Sequence, residues 1–209
     1  MLKYILIFFF CIIIISNVII AEEHQETIRL DVGIFKSHNN KVTLNDGVEM
    51  TKGETIIKSN EGEMDTEKRT AIFKNNVILE NSDIEIFSLI MEAWFEDDKY
   101  VFSEEVKFSY NIKEGQEENS KMILETSFLE LNSKTNAFSA KNGVTIQYES
   151  KTIAADFVEY NDEKQELYFK DNVKIIEKNG DIIRSSGAIL NVENDKFIAE
   201  ENVQIEFKI

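Results

Sequence analysis

The sequence predicts an all-β protein, a repeat-built and twisted stack of about a dozen antiparallel strands in the form of a flattened roll or an open V-shaped β-sandwich. Three observations predict it. Valines recur at Val48, Val77, Val106, Val144, Val173 and Val203, at intervals of 29, 29, 38, 29 and 30 residues; a fixed period of this size marks stacked supersecondary units. Around the valines apolar and polar residues alternate, as in Val203, Ile205, Phe207 and Ile209 against Gln204, Glu206 and Lys208. That period of two belongs to a strand with one face buried. Polar turns also fall at the same two places in every copy.

Ahead of the repeats lies a segment to be kept out of fold reasoning. Lys3 gives a positive start, Tyr4 to Ile20 an apolar run, and Ala21 a small residue before Glu22-Glu23. Residues 1–21 are expected to be a signal peptide or an uncleaved N-terminal anchor helix. Residues 22–26 form a lead-in, and the repeat domain spans 27–209. The chain's single cysteine, Cys11, lies in the first segment, so the exported part is held by neither disulfides nor cysteine–metal chemistry.

With each valine as position zero, three further columns stay apolar in all six copies. Twenty residues before it stand Ile28, Ile57, Ile86, Leu124, Ile153 and Ile183. Thirteen before it stand Phe35, Met64, Ala93, Leu131, Tyr160 and Leu190. Two after it stand Met50, Leu79, Phe108, Ile146, Ile175 and Ile205. A composition with 43% hydrophobic residues does not align itself this way by chance. Directly before the valine come Gly47, Asn76, Glu105, Gly143, Asn172 and Asn202. Gly and Asn tolerate positive φ, so a bend or bulge is expected there, with the Glu105 corner built differently. One turn follows each thirteen-before position, and Trp94-Phe95 stands where other copies place polar turn residues. The single long interval reflects a polar insertion, 111–120, expected as a surface loop.

A copy this short cannot bury its apolar face alone; stacking does that, and leaves an open strand edge at each end. The last strand (Val203, Ile205, Phe207, Ile209) reads as an assembly edge.

Charge narrows the function. Counting 23 basic against 39 acidic residues, the chain carries a net charge of −16. Nucleic acid and anionic membrane surfaces are therefore poor partners. His24 and His38 have no metal-ligand spacing, and nucleophile elbows and phosphate loops are absent from the sequence. Neither a metal, a cofactor nor catalysis is expected.

Short copies of the form Phe-x-(Asn/Asp)-(Gly/Asn)-Val-x-(Ile/Leu), in register with the six valines, resemble the OstA-like repeat of the LptA, LptC and LptD N-terminal family of lipopolysaccharide transport proteins. The stretches carrying the resemblance are Thr152 to Tyr160 with Leu167 to Val173, and Asn142 to Ile146, and it covers about residues 27–209. It implies a β-jellyroll whose apolar groove holds lipid A acyl chains, joined head to tail with like copies and with other Lpt components at the inner and outer membranes. The larger inward residues, Phe35, Met50, Phe73, Leu79, Phe102, Phe108, Ile146 and Phe169, are then candidates to line that groove. A cleaved leader suits a periplasmic LptA-like bridge, and a retained one an LptC-like relay tethered to the inner membrane. A secreted structural, adhesive or polysaccharide-processing β-solenoid is the alternative class.

Overall fold

The computed structural model describes residues 27–112 and 120–208. The leader (1–21), the lead-in (22–26), residues 113–119 of the insertion and Ile209 lie outside the described residues.

Every element among the described residues is a strand. In chain order these are β1 (Ile28–His38), β2 (Lys41–Lys52), β3 (Thr55–Ser59), β4 (Glu61–Asp65), β5 (Thr70–Glu80), β6 (Ile84–Trp94) and β7 (Lys99–Ile112). They continue with β8 (Ser120–Asn132), β9 (Ala137–Tyr148), β10 (Lys151–Asn161), β11 (Glu166–Ile176), β12 (Ile182–Asn191), β13 (Lys196–Glu200) and β14 (Gln204–Glu206). All fourteen belong to one sheet in which sequence neighbours pair. β3 and β4 together fill the single place between β2 and β5, and β13 and β14 share the flank of β12. The expected dozen strands are therefore present, two per copy.

The insertion is longer in strand than its composition suggests. Pairing continues through Asn111↔Lys121 and Ile112↔Ser120, so the two ends of the expected 111–120 loop extend the β7–β8 hairpin.

A crease runs across the sheet at mid-strand. On alternate strands two successive residues have positive φ: Asp46 (65°) and Gly47 (85°), Asn75 (63°) and Asn76 (55°), Glu104 (63°) and Glu105 (53°). Asn142 (71°) and Gly143 (81°), Asp171 (61°) and Asn172 (51°), and Glu201 (60°) and Asn202 (53°) complete the set. The Glu104–Glu105 corner was expected to depart from the rule and does not. Glutamate has no intrinsic preference for this region; the ladders to β6 and β8, which break at the corner and resume on both sides of it, impose it.

The strands between the corners bend by another device. Opposite the valines stand Ser59, Ser88, Thr126, Ala155 and Ser185. Ser59 Oγ donates to Glu61 O (2.9 Å), Ser88 Oγ to Ile90 O (3.0 Å) and Ser185 Oγ to Gly187 O (2.8 Å). Thr126 Oγ1 donates to Lys141 O on β9 (2.7 Å). A bend removes ladder partners from the backbone, and a buried carbonyl without a partner is costly. These four hydroxyls supply the partners, and they are the only buried serine and threonine side chains among the described residues. At the first strand the device is Gly33, where a Cβ would lie 2.5 Å from the Asp46 carbonyl oxygen.

The crease divides each strand into two arms. We term the half beginning at the valines the valine arm, and the other the Asx arm. The latter ends in turns capped by Asp65, Asn132, Asn161 and Asn191, whose Oδ1 atoms accept backbone N–H groups two or three residues on. The β6–β7 turn lacks such a cap. Trp94 occupies the capping place, partly covered by Lys99 at 5.7 Å, and Phe95 folds into the core. The aromatic pair therefore belongs to local packing.

The apolar columns face inward between the arms. From β2 through β11 the valines and the residues two beyond them are at most 3% exposed. Burial of each such side chain contributes about 1.5–3 kcal/mol.

Candidate functional site

The interior and its rim are the places where this fold could act on a ligand. Met50, Phe73, Phe102, Phe108 and Ile146 are fully buried between the arms, with Leu79 and Phe169 nearly so. The structure thus brings seven of the eight candidate groove residues into one apolar interior, where they pack against one another as a core. Phe35 is apart from them: it lies on β1, the first edge strand, and is 56% exposed.

At the other end, Val203, Ile205 and Phe207 are 45%, 51% and 70% exposed. They flank and form β14, which among the described residues pairs with β12 alone. The last member of the expected assembly edge, Ile209, is outside the described residues.

The rim, which the sequence reading did not single out, is where the arms meet. Lys52 ends β2 on the valine arm, and Asp98 closes the β6–β7 turn on the Asx arm. In a flat sheet, strands of this length would put such ends about 35 Å apart. Instead the Lys52 ammonium pairs with the Asp98 carboxylate and donates to Phe95 O at 3.2 Å. The sheet has folded along its crease until its margins touch.

The same offset recurs. Tyr110 Oη donates to Asp162 Oδ1 at 3.4 Å, and Tyr148 Oη to Val192 O at 3.1 Å. Lys52, Tyr110 and Tyr148 each stand four residues after their valine. Phe95, Asp162 and Val192 each stand eleven before the valine two copies later. Lys151 adds an ion pair to Asp195 at 2.7 Å. Asp98 and Asp195 occupy equivalent places eight residues before Val106 and Val203, so the two ion pairs lie at opposite ends of the rim.

Between them the rim is held by hydrogen bonds from tyrosine hydroxyls. A cleft of about 300 Å³ opens there, lined by Asp83, Tyr110, Asn136, Asp162, Gln165 and Glu193 among others. Directly behind it is an aromatic cluster. Phe108 meets Phe138 edge-on at 4.8 Å, Phe138 stacks on Tyr160 at 5.2 Å, and Tyr110 meets Tyr160 edge-on at 5.7 Å. Burial pushes the hydroxyls of Tyr110 and Tyr160 above the usual phenol range; for Tyr160 the neighbouring Tyr110 and Asp162 add to it. Among the described residues no group of His, Cys, Asp and Glu is arranged to hold a metal ion.

The fold and this site define a class: a repeat-built antiparallel β-sandwich, creased at mid-strand, apolar inside, tied at its rim and open at both strand edges. Comparison with known proteins adds the family. The model of the LptA and LptD N-terminal domain family of lipopolysaccharide transport proteins matches residues 56–196, and the chain belongs to that family. Among solved structures it is similar to LptH, described as the LptA-homologous periplasmic component of the conserved lipopolysaccharide transport device from Pseudomonas aeruginosa. That similarity has 8% identity and a TM-score of 0.31, and covers 88% of this chain and 96% of that one. No curated protein matches.

Proposed function

We propose that this protein carries the acyl chains of lipid A between the two arms and passes lipopolysaccharide across the periplasm. The observation that carries the reading is the family match laid over one continuous apolar interior: Met50, Leu79, Phe108 and Ile146 are successive members of a single inward column. Acyl chains need an uninterrupted apolar surface, and the stacked copies provide it without catalytic groups. The chain works as a bridge between inner and outer membranes. Its open edge strands, β1 with Phe35 and β14 with Ile205 and Phe207, accept other copies or other transport components by strand addition. If the leader is retained, the same domain serves as a relay tethered to the inner membrane. Among the described residues no helix is long and apolar enough to cross a membrane.

A photo-crosslinking amino acid at Phe108 or Phe73 tests the reading. In cells it should capture lipopolysaccharide, whereas the same probe at outward-facing Glu85 should not. Absence of an adduct at every inward position would sink the groove.

A further inference from the structure

We propose that the middle of the rim is the port through which an acyl chain reaches the interior, with Tyr110 as its latch and the two lysine–aspartate pairs as the fixed ends of the opening. The inference rests on the lipid-carrying reading above and adds the place and order of opening. In this structure the interior side chains pack on one another, so a chain gains access only where the arms part. Among the contacts between described residues, four link copies two apart across the rim, and they are unequal. The outermost two include ion pairs whose lysines are only 10% exposed, Lys52 with Asp98 and Lys151 with Asp195. Each end is held by more than one charge-assisted bond: the Lys52 ammonium also donates to Phe95 O, and the Lys151 ammonium reaches both carboxylate oxygens of Asp195.

The middle is different. There the tie is a single hydrogen bond from Tyr110 to Asp162, between neutral donor and carboxylate, backed by the ring contact with Tyr160. Tyr110 is half-buried, and outward rotation leaves its hydroxyl in water with no charge stranded. Moving it uncovers the Tyr160, Phe138 and Phe108 rings in turn, an apolar path leading straight from the cleft to the inward column. The carboxylates of Asp83, Asp162 and Glu193 around the mouth hold an anionic headgroup outside, so the ligand enters tail-first.

Two bridged variants of the full chain carrying Cys11→Ser test this. One joins Tyr110→Cys to Asp162→Cys with a short bismaleimide, and the other joins Lys52→Cys to Asp98→Cys. Two readouts are taken: uptake of fluorescent lipopolysaccharide, and maleimide labelling of a third cysteine at fully buried Ala140 (or Ala93, should Ala140→Cys fold poorly). Bridging the middle should slow both by about tenfold or more, while bridging the outer pair changes either by less than about twofold. Equal slowing by the two bridges, or slowing by the outer bridge alone, overturns the port. If the labelling pattern holds while no form takes up lipopolysaccharide, the port stands and the lipid-carrying reading fails.

Discussion

Val106 and Val203 hold the same place in the repeat, each just after a corner of two positive-φ residues, and each is followed two residues on by a large apolar side chain. In the middle of the array Val106 and Phe108 are buried, while at the end Val203 and Ile205 are about half exposed. The local chemistry of the two regions is alike; the difference lies in neighbours. Val106 has strands on both sides and an opposing arm two copies on, whereas Val203 has β12 on one side. Burial in a stacked array is thus a property of position in the stack. A side chain that is core in the middle becomes available surface at the end.

The comparison is most directly broken by removing rings. Phe108→Ala in the interior should cost about 3–5 kcal/mol in urea unfolding, from lost transfer and the cavity left behind. Phe35→Ala at the edge should cost under about 0.5 kcal/mol, while weakening concentration-dependent self-association in sedimentation. Equal stability losses would contradict the difference in packing. At the crease, Ser88→Ala leaves the Ile90 carbonyl without the hydroxyl it accepts from, and should cost about 1–2 kcal/mol by the same measurement. The Glu104–Glu105 corner should respond in the other direction. Glu104→Asn with Glu105→Gly matches the residues to their left-handed conformation and should stabilise by about 1 kcal/mol, with little change from Asn76→Gly at a corner already suited to it.

The smallest effect at neutral pH comes from the tyrosines behind the rim. The folded state keeps Tyr110 and Tyr160 protonated beyond their usual value of 10.0. Their contribution to stability is therefore complete below about pH 10 and is lost as pH rises past it. Phenolate absorbance should appear together with unfolding for these two residues; ionisation of both in a still-folded protein would show that they are not shielded as described.

Much of this fold could be read from the chain because each copy repeats its errors and its rules alike. The valine column, the column two beyond it and the turn positions all carry one residue type, and period two fixed which face they share. Where a column is chemically mixed the sequence was silent. The position four after the valine reads Lys52, Asn81, Tyr110, Tyr148, Glu177 and Phe207, and nothing in that set announces a common role. Its role comes from the angle at which the two arms cross, which depends on the twist of the whole sheet. The hydroxyls at Ser59, Ser88, Thr126 and Ser185 form a period too, but a serine in a strand carries weak information until the missing ladder partner is seen. Glu104–Glu105 misled for the opposite reason: residue preference there yields to the ladders on either side. Phe35 shows the limit of column logic, since membership of an apolar column does not supply a neighbour.

The two-copy offset of the rim also sets a minimum length for this architecture. The tie at Lys52 cannot form until the chain has been made as far as Asp98, so the first two copies alone have nothing to close against. Closing that first loop of 46 residues carries the largest entropic cost. Each later step shares strands already in place and adds only one more copy. A chain emerging N-terminus first would gather two copies as a loose bent ribbon, shut on the arrival of the third, and then zip toward its C-terminal end.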